Sequence, residues 1–218
     1  MTAPRRQRAN GIASRAAILD AAAQIAGERG YEGTSINLVS ERSGLPASSI
    51  YWHFEDKDQL IAAVIDRSFS GWVDALTTAP DEVGDAAPDE LVVTGMRDAG
   101  EQLAKFPDFL RLGLMLILER RPEEPAARRR FREARDVTLA RIQQIYQAFF
   151  AGLTDEQTRR LAVFTLAGSD GLFIAADDGA VDLADEFELL GHAVLGAARS
   201  MGWTPSARPE AAEQHGGG

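Results

Sequence analysis

Apolar residues recur at helical spacing along most of the chain. From Ile18 to Ala26 they fall on one face of a first helix, with Ser14 placed to cap its start and Gly30 to end it. Later segments repeat this period, and none shows the alternation typical of strands. The pattern therefore predicts an all-α protein.

Two short helices should follow the first one. Thr34 is a natural N-cap for the second helix, which Gly44 ends after about two turns. Pro46 suits the opening of a third helix because its missing N–H costs nothing there. We expect the third helix to begin at Pro46 or Ala47 and to stop near Phe54.

A long fourth helix should brace the two short ones. Asp56 resembles its N-cap, with Gln59 three residues on as the capping-box partner. Two short helices joined by a glycine-containing turn and braced by a longer helix predict a helix-turn-helix. A Pro-, Gly- and Asp-rich loop at 79–90 then leads into further helical segments, which predict a larger C-terminal helical bundle. We expect four regions: a flexible basic arm (1–13), a head that contains the helix-turn-helix (14–60), a larger helical bundle (61–203) and a disordered tail (204–218).

Composition narrows the class of protein. The 218 residues are 45% hydrophobic and include no cysteine and only three histidines, which lie far apart. We therefore expect no metal site and no cofactor. No nucleophile–base pair or phosphate loop is visible, so an enzyme is not expected. Apolar runs are too short for a membrane span and no secretion signal is visible, which favours a cytoplasmic protein without a membrane partner.

Charge is unevenly distributed along the chain. The net charge is −10, but residues 1–60 carry seven basic and seven acidic groups, so the whole excess lies beyond them. The first 15 residues hold four arginines and no acid. Such an arm either aids solubility or contacts DNA.

The segment GYEGTSINLVSERSGLPASSIYWHFEDKDQL, residues 30–60, resembles the DNA-binding part of the TetR family of bacterial transcriptional regulators. The resemblance covers roughly residues 14–65. It departs from the family at Ser40 and Ser43, where Ala is usual, and at Pro46, where Ser or Thr is common. The matching positions are Gly30, Tyr31, Thr34, Ser35, Ile36, Val39, Gly44, Leu45, Tyr51, His53, Phe54, Lys57 and Leu60.

Four ring side chains occupy consecutive positions, 51–54, on the third helix. A helix buries only one face, so four adjacent rings cannot all be core. With Leu45, Ile50 and Phe54 assigned to the core, Trp52 points away from the bundle. The alternative for Trp52 is a partly buried staple against its neighbours.

The resemblance implies phosphate contacts from Tyr51, His53 and Lys57, and each of these side chains offers a donor. Thr34 and Ser35, at the start of the second helix, can contact phosphates in the same way. Base contacts would fall to the exposed face of the third helix. The predicted base-reading residues are Pro46, Ala47, Ser48 and Trp52, with Arg42 from the helix before.

The resemblance also implies a small-molecule pocket in the bundle, for an apolar or aromatic ligand held by a few polar groups such as Arg111, Tyr146 or Asp170. Plain core packing is the alternative for each apolar residue taken singly. The candidate lining residues are Met96, Leu103, Phe106, Phe109, Leu110, Leu114, Met115, Leu118, Phe131, Ile142, Tyr146, Phe149 and Asp170.

Small and apolar residues on the last two helices predict a homodimer interface, and the resemblance implies the same. Intramolecular packing is the alternative. The predicted interface residues are Phe164, Gly168, Gly171, Leu172, Phe187, Leu190, Gly191, Val194, Ala198 and Met201.

Taken with the resemblance, these features predict a dimeric regulator of transcription. It would bind a palindromic operator in double-stranded DNA as a repressor and leave it when a small molecule binds. The alternative is an all-helical small-molecule binding or interaction protein that binds DNA weakly or not at all.

Overall fold

The structure is a computed structural model that describes residues 3–76, 87–105, 107–118, 125–176, 179 and 181–205, with side chains throughout except at 3–9, 71–76, 88 and 109. The described residues form nine α-helices and no strand, which confirms the all-α fold class. The helices are α1 (Ala3–Arg29), α2 (Ile36–Ser43), α3 (Ala47–His53), α4 (Lys57–Leu76), α5 (Pro88–Lys105), α6 (Pro107–Leu118), α7 (Ala126–Phe149), α8 (Asp155–Ala176) and α9 (Leu183–Ser200).

Two compact units divide the chain. The first comprises residues 1–77 and 101–138, and the second comprises 78–100 and 139–218. The division falls within α5 and within α7, not at the boundary after residue 60 that the sequence suggested. The first unit is larger than the predicted head because α6 and the start of α7 belong to it.

The first unit is organised around α1, which packs against α2, α3, α4 and α6. Its face from Ile18 to Ala26 is buried as predicted. Leu60, Val64 and Ile65 of α4 are fully buried in the same unit. Burying each such side chain stabilises the fold by about 1.5–3 kcal/mol, so this apolar layer fixes α4 against α1.

The start of α1 differs from the prediction. The helix begins at Ala3, so residues 3–13 continue α1 and do not form a separate arm. Ser14 does not cap the helix, because its hydroxyl donates to the Asn10 carbonyl at 2.7 Å inside it. Ala, Arg and Gln, which have high helix propensity, dominate these first residues and favour the longer helix.

A close approach of α6 and α7 depends on one glycine. A Cβ added at Gly113 would lie 2.0–2.3 Å from the Phe131 ring, which is fully buried. No side chain other than hydrogen fits this gap. The helices therefore meet only because position 113 has no side chain.

The second unit pairs α8 with α9. Its core contains Tyr146, Phe150, Leu161, Val194 and Trp203, packed with further residues of α8 and α9. Close approach again uses small residues, since a Cβ added at Gly168 would lie 2.7 Å from a Leu190 methyl carbon.

This packing corrects part of the predicted dimer interface. Five of its residues on α9 are buried within the chain and cannot face a partner, so intramolecular packing explains that stripe. Phe164 and Gly171 are exposed, whereas Gly168, Leu172 and Met201 are partly buried. The five buried residues are Phe187, Leu190, Gly191, Val194 and Ala198.

The chain beyond α9 is described only to residue 205, so the predicted disordered tail lies almost entirely outside the described residues.

Trp203 is buried, and its ring meets the Phe150 ring edge to face at 5.0 Å between centroids. Within the described ranges no helix has the length and apolar character that a membrane span requires.

We predict that Gly113→Ala will lower the free energy of unfolding by about 1–3 kcal/mol, because the new methyl group overlaps the Phe131 ring. Gly27→Ala is the matched control. Gly27 lies on α1 in the same unit, and its added Cβ would meet nothing closer than 3.7 Å. Alanine should stabilise that helix by up to about 1 kcal/mol. Urea unfolding measures both, and equal effects would contradict the packing described.

Candidate nucleic-acid interface

The helix-turn-helix is built by local signals at the ends of α2 and α3. Gly44 ends α2 with φ 68°, a left-handed conformation that side chains rarely adopt. Pro46 then holds extended backbone with ψ 148°, and α3 begins at Ala47. Phe54 ends α3 as predicted, and its N–H donates to the Ile50 carbonyl at 2.9 Å.

The four consecutive rings divide as their positions around α3 require. Phe54 is buried beside Ile50, whereas Tyr51 is 57% exposed and Trp52 is 75% exposed. The alternative interpretation of Trp52 as a partly buried staple is therefore wrong. Its ring touches the edge of the His53 ring, with centroids 4.6 Å apart, and a Cβ added at Gly11 would lie 3.9 Å from it.

His53 is half-buried on the side of α3 that meets α1. Burial lowers the pKa of His53 below 6.5, and the positive charge of Arg15 lowers it further. The ring is therefore neutral at pH 7 and offers one N–H as a donor. The Arg15 guanidinium lies 5.3 Å from the centre of the Phe54 ring. Arg15 thus belongs to this surface, a role that the sequence indicated only through the general basicity of its first 15 residues.

Lys57, at the start of α4, is held in place by three groups. Its Nζ donates to the Tyr31 carbonyl at 3.2 Å and lies 4.3 Å from the centre of the Tyr31 ring. The Glu32 carboxylate is 3.5 Å away. The side chain is only 26% exposed, so contact with an anion would cost it little further conformational freedom. Asp56 caps α4 as predicted, accepting the Gln59 N–H at 2.8 Å.

Ser35 takes the capping role that was predicted for Thr34. Thr34 is buried, and its hydroxyl donates to the Gly30 carbonyl at 2.8 Å, so this side chain neither caps α2 nor faces solvent. Ser35 is the N-cap, and its hydroxyl oxygen accepts the Leu38 N–H at 3.3 Å. The exposed Ser35 hydroxyl can still donate to an anion.

Arg42 is bound within the protein. Its guanidinium makes a two-pronged ion pair with Glu28 of α1, with N–O distances of 2.9 and 3.0 Å. The hydrogen bond from Arg42 lowers the pKa of Glu28. Arg42 must leave this pair before it can contact a base, which the sequence could not indicate because Glu28 lies 14 residues away.

The predicted base-reading residues of α3 share an accessible surface. Pro46, Ser48 and Trp52 are exposed and Ala47 is half-buried. Ser48 and Trp52 are four residues apart and therefore lie on one helix face. This face offers a hydroxyl and a large apolar ring without any formal charge.

Comparison with known proteins identifies this region. Residues 18–64 match the family described as bacterial regulatory proteins, tetR family. This matching stretch is termed the TetR-family segment. The resemblance in the sequence is thereby confirmed for α1 to the first turns of α4.

Two curated relatives match the TetR-family segment. The biofilm operon icaADBC negative transcriptional regulator IcaR of Staphylococcus epidermidis is 26% identical over 65 residues, which is 30% of this chain and 35% of IcaR. The transcriptional repressor Rv3405c of Mycobacterium tuberculosis is 45% identical over 52 residues, which is 24% of this chain and 28% of that protein. The chain thus spans about a third or less of the length of these relatives.

The likeness in fold extends beyond the TetR-family segment. The transcriptional regulator FadR of Bacillus subtilis, solved in complex with stearoyl-CoA, is similar over 83% of this chain and 97% of its own, with a TM-score of 0.66 and 16% identity. The helical C-terminal part of this chain therefore has the fold of that regulator.

The two serines that depart from the TetR-family pattern stabilise the turn between α2 and α3. Ser40 donates its hydroxyl hydrogen to the Leu45 carbonyl at 2.7 Å, and Ser43 accepts the Leu45 N–H at 3.3 Å. Alanine could form neither bond. Ser40 and Ser43 therefore stabilise the connection to α3, and neither residue is part of the exposed face of α3.

The predicted pocket residues are divided between the two compact units, and the structure does not test the pocket as a whole. Phe106 and the side chain of Phe109 lie outside the described residues. In the first unit Leu103, Leu110 and Phe131 are buried and Leu114 is half-buried, but Met115 and Leu118 are exposed. In the second unit Met96, Ile142, Phe149 and Asp170 are partly buried.

Tyr146, a candidate polar group of the pocket, is buried in the core of the second unit. Its hydroxyl lies 2.7 Å from the Thr165 hydroxyl, and burial raises the pKa of Tyr146 to about 12. The phenol therefore stays neutral and hydrogen-bonded inside the core at pH 7.

We predict that Trp52→Ala will change the free energy of unfolding by no more than about 0.5 kcal/mol, because the ring is largely exposed. Ile50→Ala, two residues away on the buried face of α3, should cost about 2–5 kcal/mol. Chemical denaturation of both variants measures the difference. A large loss from Trp52→Ala would assign its ring to the core.

Proposed function

We propose that the chain is a DNA-binding regulator of transcription that acts as a repressor in the bacterial cytoplasm. The observation that carries the proposal is the exposed, uncharged face of α3, flanked by donors from Tyr51, His53 and Lys57 in the TetR-family segment. Two relatives that match this segment are named as a negative regulator and a repressor. Both names agree with this role.

Phosphate contacts would come from groups that are already oriented. Lys57 is held against Tyr31, Ser35 stands at the start of α2, and Tyr51 and His53 project from α3. Such contacts fix the position of a protein on the duplex without reading its sequence. Thr34 is left out of this set because its hydroxyl is turned into the protein.

Base reading would fall to Ser48, Ala47 and Trp52, with Pro46 at the start of α3. A serine hydroxyl bonds to several base edges, whereas the alanine methyl and the indole ring suit apolar contact with a thymine methyl. Arg42 would add a contact only after leaving Glu28.

A second candidate function, ligand binding with weak or no DNA binding, has one observation in its favour. Lys57 and Arg42 both have carboxylates beside them, so two cations of the TetR-family segment are partly neutralised. Measured DNA affinity separates the two functions, because a regulator must bind its operator far more tightly than unrelated DNA.

We also infer that the protein works as a homodimer on a palindromic operator. A helix-turn-helix gains specificity when two copies read two half-sites. On α8, Val163, Phe164 and Ile174 are exposed, and Leu189 of α9 is 62% exposed. An exposed apolar surface of this kind is typical of an interface between subunits. This face replaces the inward stripe of α9 as the candidate contact.

The proposed effector is a small apolar or aromatic molecule bound by the helical C-terminal part. The FadR structure with stearoyl-CoA supports the idea that this fold accepts a ligand with a long apolar chain. Release from DNA requires the ligand to bind one conformation better than the other, and DNA must oppose the ligand by the same factor.

We expect DNA affinity to fall steeply as salt rises and Lys57→Ala to lower the slope of log K against log salt by about one, because one phosphate contact is lost. Trp52→Ala is the comparison variant. It should weaken binding to the specific operator but leave the salt slope unchanged, since indole carries no charge. Fluorescence anisotropy with DNA from upstream of its own coding sequence measures both quantities. Absence of binding at every salt concentration would rule out the regulator.

Replacing Phe164 by Asp should convert the dimer to a monomer at micromolar concentration, because a carboxylate would be buried against an apolar partner surface. Val137→Asp serves as the control. Val137 is also exposed and apolar but lies on a different helix, α7. Light scattering gives the mass of each variant. A monomeric wild-type protein would refute the interface.

A further inference from the structure

Asp58, in the first turn of α4, caps the start of a different helix. Its Oδ2 accepts the Ala126 N–H at 2.5 Å, and its Oδ1 accepts the Ala127 N–H at 3.1 Å. These are the first residues of α7, where helical N–H groups have no partner inside the helix. A carboxylate is also favoured there by the helix dipole. The start of α7 is thus tied to the start of α4.

Tyr31 joins this cap to Lys57. Its hydroxyl donates to Asp58 Oδ1 at 3.3 Å, while its carbonyl oxygen accepts from Lys57 Nζ at 3.2 Å. The Lys57 ammonium also lies over the Tyr31 ring. One side chain therefore contacts both the α7 cap and the lysine proposed to bind phosphate.

From this geometry we propose that Asp58 is a positioning residue, through which the start of α7 fixes the placement of Lys57 for DNA. The role rests on the proposed DNA-binding function. α7 is one continuous helix from Ala126 to Phe149, and Tyr146 near its end is buried in the core of the second unit. A displacement of the start of α7 would move the Asp58 carboxylate. Tyr31 would then lose its hydrogen bond to Asp58, and Lys57 would no longer be held in place.

The direction in which DNA affinity changes when the Asp58 charge is removed distinguishes a positioning role from a purely electrostatic one. Asp58 is an acid next to a proposed phosphate-binding lysine, so by charge alone its removal should strengthen DNA binding. Positioning predicts the opposite result. Asn has the same shape but a single acceptor oxygen, and so cannot accept both N–H groups of α7 on separate oxygens.

The experiment measures DNA affinity and its salt dependence for the full-length Asp58→Asn protein. We expect affinity to fall about tenfold, since a charge-assisted hydrogen bond is lost and Lys57 is freed. The salt slope should fall by up to about one although the protein has become less acidic. Combined with Lys57→Ala, Asp58→Asn should add no further loss, because both changes remove the same contact.

Asp66→Asn is the matched control. Asp66 also lies on α4 and forms an ion pair with Arg130 of α7, but it stands nine residues along the chain from Lys57. Its replacement should leave the salt slope unchanged. If Asp58→Asn fails to fold, as judged by circular dichroism, Tyr31→Phe decides, since it removes only the hydroxyl. Tyr31→Phe should then weaken DNA binding about threefold.

Unchanged or stronger DNA binding by a folded Asp58→Asn protein would overturn the positioning role. So would losses that add fully to those of Lys57→Ala, or unchanged binding by Tyr31→Phe where that variant decides. In each case wild-type binding would leave the regulator function intact. A wild-type protein that binds no DNA would instead overturn the regulator, and this role with it.

Discussion

The position of α3 depends on contacts made by the segments before and after it. This helix has seven residues, and among them only Ile50 is buried, so apolar contact anchors it at one point, with Phe54 at its end. Further constraints come from its two connections. Gly44 and the bonds of Ser40 and Ser43 fix the turn before it, and Lys57 and Asp58 fix the start of α4 after it. The exposed rings could contact DNA from a fixed position because neighbouring segments supply the rigidity that α3 lacks.

The same arrangement explains how a segment without excess positive charge could bind a polyanion. Arg42, Lys57 and Arg67 each have a carboxylate partner within the first unit. Exposed pairs of this kind contribute little to stability, so they act mainly to orient the cations and to offset their charge. Long-range attraction is then weak, and affinity must come from donors held at short range. Specific contacts gain weight over non-specific ones under these conditions.

The sequence could predict those features that local chemistry decides. Gly30 and Gly44 end their helices and Asp56 caps α4 because each effect needs only nearby backbone. The sequence could not decide which of two adjacent residues caps a helix. Ser35, not Thr34, caps α2, since Thr34 is buried and bonded to Gly30. Contacts between residues far apart in the sequence could not be predicted from it. The α9 stripe suited a partner subunit as well as its own chain, and only its packing against α5 and α8 shows that it faces inward.

Two helix ends in this protein are bonded by side chains from other helices. Asp58 of α4 accepts the first N–H groups of α7, and Gln157 of α8 donates to the Met201 carbonyl, where α9 ends, at 2.9 Å. A cap within its own helix persists when that helix moves, whereas a cap from a neighbour is lost when the two helices separate. Helices tied in this way exchange one set of bonds for another as discrete steps. The proposed switch between a DNA-binding and a released state would use this property, because packed interfaces change between discrete arrangements and do not deform continuously.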